Sequence, residues 1–172
     1  EMQRSLVGSE MCIRDRYVMM LSHTADYSLG PICGREMQNM TVGIIGTGRI
    51  GKAVIKNLSG FGCKIIAYDP YPAKGLENVE YVTLDELYAR ADIISLHTFL
   101  SDETYHMINK DSIAKMKDGV ILINAARGAL VDTKDLIEAV ESGKIGSVGT
   151  DCCEGEDEFI RTCLLYTSDA AD

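Results

Sequence analysis

The residues best suited to chemistry in this chain are three glycines, four charged side chains and two histidines. Gly46, Gly48 and Gly51 stand in G-x-G-x-x-G spacing, and Asp69 follows eighteen positions after the last of them. Further along come His97, His106, Arg127, Asp151 and Glu156. A glycine at the first of the three positions lets a chain turn sharply out of a strand. At the second it leaves no Cβ between the backbone and a bound diphosphate, and at the third it lets a helix approach a sheet. The start of that helix offers unpaired N–H groups and partial positive charge to phosphate.

An aspartate placed like Asp69 can accept hydrogen bonds from both hydroxyls of a ribose and repels a 2′-phosphate. No arginine follows it closely enough to neutralise such a phosphate, so the pattern points to NAD rather than NADP. A lone glycine motif carries little weight, because glycine-rich turns are common. Here the flanking elements supply the context it needs. Val42 to Ile45 is a short apolar run ending at the turn. Ile50, Val54, Ile55 and Leu58 recur at helical spacing, with one face expected toward the core. Lys64 to Tyr68 is a second apolar strand that delivers Asp69 at its end.

The remaining elements continue the alternation. Residues 70–78 hold two prolines and a glycine and form a loop, followed by a short strand at Val79 to Val82. Thr83 and Glu86 fit a capping box that opens a helix ending near Arg90. Ala91 to Leu96 is a buried strand that ends at His97. Asn109 or Asp111 caps a helix through Met116, and Lys117-Asp118-Gly119 turns into the strand Val120 to Asn124. Asp132 or Thr133 caps a helix expected to bury Leu136, Ile137 and Val140 and to stop at Gly143. Ile145 to Thr150 is a last strand. Strands alternating with helices call for an α/β, doubly wound parallel sheet covered on both faces.

In such a sheet, ligands sit outside the carboxyl ends of the strands. Arg127 is placed there and can hold a small carboxylate through two parallel hydrogen bonds, or be tied up in a structural salt bridge. The residues alone lean toward the salt bridge. Asp151 and Glu156 either orient a cofactor or a base, or belong to the acidic run Glu154 to Glu158 on a solvated face. His97 and His106 fit hydrogen-bonded structural residues, and His23 a solvated loop.

Composition narrows the classes. The chain has 172 residues, 46% hydrophobic, which suits one compact domain with a sizeable core. A formal net charge of −9 argues against nucleic acid or an anionic membrane surface as partner. No apolar run reaches the roughly 20 residues of a membrane span. No basic segment precedes an apolar one at the N-terminus, so no secretory leader is expected. The six cysteines show neither C-x-x-C pairing nor metal-ligand spacing, which fits reduced thiols in the cytoplasm and no metal site.

Both ends stand apart from this pattern. SLVGSEMCIRDR near the N-terminus and TCLLYTSDAAD at the C-terminus lack periodicity and resemble translated adapter sequence. The expected organisation is residues 1–16 foreign or disordered, 17–40 a connecting segment, 41–158 the nucleotide-binding domain, and 159–172 foreign or disordered.

From Thr41 to Glu156 the chain resembles the D-isomer-specific 2-hydroxyacid dehydrogenases, and within them the D-lactate dehydrogenase branch. The stretches that carry the likeness are VGIIGTGRIGKAVIKNLSGFGCKIIAYD, ADIISLH, HMINKDSIAKMK, ILINAARGALVDT and SGKIGSVGTDCCEGE, in that order. The resemblance implies a Rossmann-type NAD-binding domain, here in an incomplete chain lacking most of the substrate domain. It implies that Arg127, in R-G-x-L-V-D, holds the substrate carboxylate. By the same match Glu156 pairs with a catalytic histidine further along the chain. Gly46, Gly48 and Gly51 then hold the diphosphate with Arg49 and Ile50 flanking it, and Asp69 holds the adenosine ribose. Thr98, Phe99 and Thr104 line the cofactor cleft, while Ala125, Ala126 and Asp151, with Arg127, lie near the nicotinamide. The implied substrate is a small 2-keto or 2-hydroxy acid, with pyruvate and D-lactate foremost, and the parent protein would be a homodimer.

Two departures stand out. Family members carry Val-Pro after the strand-end histidine, where this chain has Thr98-Phe99, which bears on the adenine side of the cleft. No histidine follows Glu156 in this sequence. A non-catalytic, NAD-sensing protein of the corepressor type on the same scaffold is the rival reading.

Overall fold

The structure is a computed structural model, and it describes residues 36–152 and Glu154. All of these except Glu36 fall in one unit, Met37–Asp172. Glu156, His23, most of the connecting segment and both adapter-like ends lie outside the described residues. So do four of the six cysteines; of the other two, Cys63 is a free thiol and the Cys152 thiol lies 3.8 Å from the Asn124 carbonyl.

Six strands form one sheet: β1 (Thr41–Ile45), β2 (Lys64–Tyr68), β3 (Val79–Tyr81), β4 (Ile93–Leu96), β5 (Val120–Asn124) and β6 (Ile145–Thr150). Every pairing is parallel, and the spatial order is β3-β2-β1-β4-β5-β6. The chain therefore works outward from β1 in one direction, returns, and works outward in the other. The crevice this reversal opens beside β1 is where a doubly wound sheet binds its ligand. β1 is almost wholly buried and β4 entirely so, which is why their apolar residues do not alternate with exposed polar ones.

Four α-helices link the strands: α1 (Arg49–Leu58), α2 (Leu84–Arg90), α3 (Lys110–Ala114) and α4 (Thr133–Glu141). Their starts follow the expected caps. Thr83 and Glu86 close a capping box on α2, Asn109 caps α3 by accepting from the amides of Asp111 and Ser112, and Asp132 caps α4. α2, α3 and α4 pack on one face of the sheet around Leu87, Tyr88, Ile94, Ile113, Leu122 and Ala139. α1 lies on the other face over Val42, Ile44, Ile65 and Ile93. Among the described residues α1 is the one α-helix there. Ile123 of β5, on the same side, remains 37% exposed, so that face is only partly covered.

Two helix faces differ from expectation. Ile50 is 63% exposed, because α1 rests on the sheet along Gly51 and Ile55, its buried residues, and Ile50 lies about 100° round the helix from Gly51. On α4, Ile137 and Val140 are exposed while Ala139 is buried and Leu136 packs against the core. At about 100° per residue, Leu136 and Ala139 bracket one line of approach, and Ile137 points well away from it. Small Ala139 lets the helix settle on that line.

At the outer edge, Glu80 of β3 pairs with Arg90 at 2.8 Å and with Lys64 at 3.1 Å. Those two cations hold its carboxyl down at about 2. No described helix is long and apolar enough to cross a membrane.

Candidate cofactor cleft

The carboxyl ends of β1, β2 and β4 enclose a cleft of about 350 Å³, lined among others by Gly46, Gly48, Asp69, Thr98, Phe99 and Thr104. Each glycine of the motif is there for a different reason. Gly46 has φ +96°, and a Cβ on it would meet the His97 carbonyl at 2.7 Å. Gly51 packs against the turn itself, because a Cβ there would stand 2.0 Å from the Gly46 carbonyl oxygen. Around Gly48 nothing lies within 4 Å of where a Cβ would be, so its backbone faces open space. α1 begins there with no side-chain cap and no acid in its first turn. Unpaired N–H groups at a helix start beside a glycine with room in front of it are the arrangement that can receive a phosphate. Arg49 and Ile50 are exposed at this start, outside the cleft wall.

Asp69 leaves the end of β2 and reaches back to the glycine turn. Its Oδ2 accepts from the Thr47 amide at 2.6 Å and from the Thr47 hydroxyl at 2.9 Å, and its Oδ1 accepts from the Tyr71 amide at 2.8 Å. Partial burial pulls the carboxyl upward, but the bonds from the Thr47 and Tyr71 amides and the Thr47 hydroxyl outweigh it. The group sits below the usual carboxylate range. An ionised carboxylate offers about four acceptor positions, and three are taken internally. To grip both hydroxyls of a ribose, Asp69 must give up one of these bonds. Composition and spacing did not show that demand, nor the part of Thr47, which is 2% exposed.

On the other wall, Thr104 orders the loop after β4. Its hydroxyl donates to the Phe99 carbonyl at 2.8 Å and accepts from the Ser101 amide at 2.8 Å. Phe99 is 76% exposed at the mouth. His97 is a hydrogen-bonded structural residue: its Nε2 meets the Ser95 hydroxyl at 2.9 Å, and burial lowers its pKa so that it stays neutral at pH 7. His106 is likewise structural, held between Asp132 and Glu154.

Arg127, Ala125, Ala126 and Asp151 stand apart from the cleft wall, at the carboxyl ends of β5 and β6 along the same rim. Asn124, buried at the end of β5, organises them. Its side chain accepts from the Ala126 amide and donates to the Arg127 carbonyl, and its own carbonyl accepts from the Asp151 amide. Arg127 is exposed, donates to the Ala126 carbonyl at 2.7 Å, and forms no ion pair among the described residues. The salt-bridge reading of this arginine finds no described carboxylate to support it. A guanidinium free at the strand ends remains able to meet a small carboxylate. No described group of His, Cys, Asp and Glu could hold a metal ion.

Comparison with known proteins agrees with this geometry. Residues 16–167 match the family model described as the D-isomer specific 2-hydroxyacid dehydrogenase, NAD binding domain. An aromatic 2-oxoacid reductase of Clostridium sporogenes is 55% identical over 133 residues, 76% of this chain and 40% of that protein. A D-lactate dehydrogenase of Leuconostoc mesenteroides is 53% identical over the same shares. The structure of a D-lactate dehydrogenase from Aquifex aeolicus, complexed with NAD and lactic acid, superposes with a TM-score of 0.78 at 38% identity. That match covers 94% of this chain and 47% of the other. The chain thus spans less than half the length of these relatives.

Proposed function

Because this chain belongs to the D-isomer specific 2-hydroxyacid dehydrogenase family and carries its NAD-binding domain, we propose that the parent protein interconverts a 2-keto acid and a D-2-hydroxy acid. Pyruvate and D-lactate are the favoured pair, and the name of one relative adds aromatic 2-oxo acids as candidates. The observation that carries the reading is Arg127, exposed at the same rim as the cleft and without an ion pair among the described residues.

The chain's own groups fit the cofactor. Gly48 and the open start of α1, with Arg49 and Ile50 beside it, would hold the diphosphate, and Asp69 the adenosine ribose. Thr98, Phe99 and Thr104 would border the adenosine side, with Ala125, Ala126 and Asp151 toward the nicotinamide. When bound, NAD supplies or takes up the hydride at its nicotinamide ring. Arg127 would anchor the substrate carboxylate so that its neighbouring carbon faces that ring. Glu156, outside the described residues, would pair with a histidine supplied by the rest of the parent protein. A carboxylate partner favours the imidazolium, the form that can donate a proton to a ketone. The parent would act as a homodimer in the cytoplasm.

The test is the full-length parent protein assayed with NADH and a panel of pyruvate, aromatic and branched 2-keto acids. NADH oxidation with at least one of them is expected, with NADPH a poor substitute. The 172-residue chain, which has no histidine after Glu156, should bind NADH and turn over none of them. A parent protein that binds NADH yet reduces no 2-keto acid would overturn the assignment.

A further inference from the structure

We propose that Tyr81 is a positioning residue for Asp69, acting through Thr47, and that this relay sets the preference for a cofactor whose ribose carries a free 2′-hydroxyl. The inference rests on the reading of the cleft as a dinucleotide site. Tyr81 ends β3, the edge strand, and its hydroxyl lies 3.1 Å from the Thr47 hydroxyl. The Ala73 amide donates to the same phenol oxygen at 2.9 Å.

Donor counting fixes the direction. The ionised Asp69 carboxylate only accepts, so the single hydroxyl proton of Thr47 is committed to Oδ2. Thr47 is then an acceptor toward Tyr81, whose proton points at Thr47, and Tyr81 in turn accepts from Ala73. The chain Ala73 N–H, Tyr81 O–H, Thr47 O–H, Asp69 runs in one sense, and each bond polarises the next. Its members come from four places: the loop after β2, the edge strand, the glycine turn and the end of β2. The Ala73 carbonyl, 3.3 Å from the phenol, is the competing acceptor within the same loop.

Two consequences follow for the ribose. The relay fixes the carboxylate against the glycine turn, so Asp69 meets the sugar in one orientation. Tyr81 also pins Ala73, and with it the 70–78 loop through which the chain leaves Asp69. Removing one phenol oxygen releases both.

The experiment is equilibrium binding of NADH and NADPH to the 172-residue chain, followed by nicotinamide fluorescence, for wild type, Tyr81→Phe, Thr47→Val and the double variant. Phe keeps the packing of the ring and Val the shape of Thr47, and thermal unfolding reports whether each variant is folded. Tyr81→Phe should weaken NADH binding by about five- to tenfold, the scale of one lost hydrogen bond in a charge-assisted chain. NADPH binding should weaken less, so the NADH-to-NADPH preference falls. Thr47→Val should shift the preference the same way, and the double variant should be no worse than the weaker single one, because both cut one relay. If Tyr81→Phe does not fold, an unaltered preference in Thr47→Val still sinks the relay. Wild-type binding with an unaltered preference in these variants, or fully additive losses, would sink the relay and leave the cofactor reading standing. A wild-type chain that binds neither nucleotide would take down both.

Discussion

Gly51 and Gly46 meet backbone to backbone: a Cβ on Gly51 would stand 2.0 Å from the Gly46 carbonyl oxygen. Alanine within a helix ordinarily gains about 1 kcal/mol over glycine. Forcing a methyl against a fixed carbonyl costs about 3 kcal/mol. The clash wins, and Gly51→Ala should lose about 2 kcal/mol, seen as a lower urea midpoint at an unchanged slope. Gly48→Ala is the contrast. Its Cβ enters open space, so stability should hold while NADH binding falls, because the methyl occupies the approach to the diphosphate seat. Equal stability losses in the two variants would mean that the turn is not built in this way.

That contrast also marks how far the sequence was legible. The glycine spacing told of a turn, which is present, and of open backbone before Gly48, where nothing lies within 4 Å of a would-be Cβ. The contact of Gly51 with Gly46 was not readable, since spacing gives the helix-to-strand approach but not which atom is approached. The parallel sheet, all six strands and the Thr83, Asn109 and Asp132 caps follow from apolar runs and local donor–acceptor chemistry. Ile50, Ile137 and Val140 escaped because helical periodicity names an apolar stripe without saying how the helix is rotated against its sheet. Thr47, Tyr81 and Asn124 were missed for another reason. The roles of Thr47 and Tyr81 depend on contacts across 22 and 34 positions that no local pattern encodes, and that of Asn124 depends in part on its distant bond to the Asp151 amide.

Asp69 should leave a signature in the pH dependence of stability. Its folded pKa lies below the ordinary 3.8, with burial opposing and the Thr47 and Tyr71 bonds prevailing. A carboxylate of depressed pKa contributes stability that is complete above its unfolded value and is lost as pH falls through the folded one. The stability gap between wild type and Asp69→Asn should therefore be constant from pH 7 to about pH 5, then shrink as the pH drops below about 4. Urea midpoints measured across that range report it. A gap that widens on acidification would contradict the sign.

Arg127 invites a substitution that separates charge from shape. Lysine keeps the cation but cannot present two parallel donors to a carboxylate. In the full-length parent, Arg127→Lys should lower kcat/KM for the keto acid by about ten- to a hundredfold, the worth of a charge-assisted hydrogen bond. Fold stability should hardly move, since the side chain is exposed and its bond is to the neighbouring Ala126 carbonyl. Steady-state kinetics beside a thermal melt reads both. A large loss of stability would instead assign Arg127 to the scaffold.

His106 combines a side-chain clasp with a strained backbone, and two substitutions pull these apart. Its Nδ1 lies 3.2 Å from Asp132, the cap of α4, and its Nε2 lies 3.0 Å from Glu154, beyond the end of β6. Tyr105 stacks on the ring at 3.9 Å between centroids. The residue holds φ +48°, a left-handed conformation that costs an L-residue roughly 1 kcal/mol and glycine almost nothing. His106→Ala loses the clasp and keeps the strain, whereas His106→Gly loses the clasp and relieves it. The glycine variant should therefore be the more stable of the two by about 1 kcal/mol in urea unfolding, even though glycine elsewhere is the weaker choice. Both should be cut faster than wild type by a protease that cleaves after Glu154, because that side chain keeps only the longer bond from the Tyr105 hydroxyl in each. An alanine variant as stable as the glycine one would show that the left-handed turn relaxes once the ring is gone. Unchanged cleavage in both would show that the clasp does not hold the chain beyond β6.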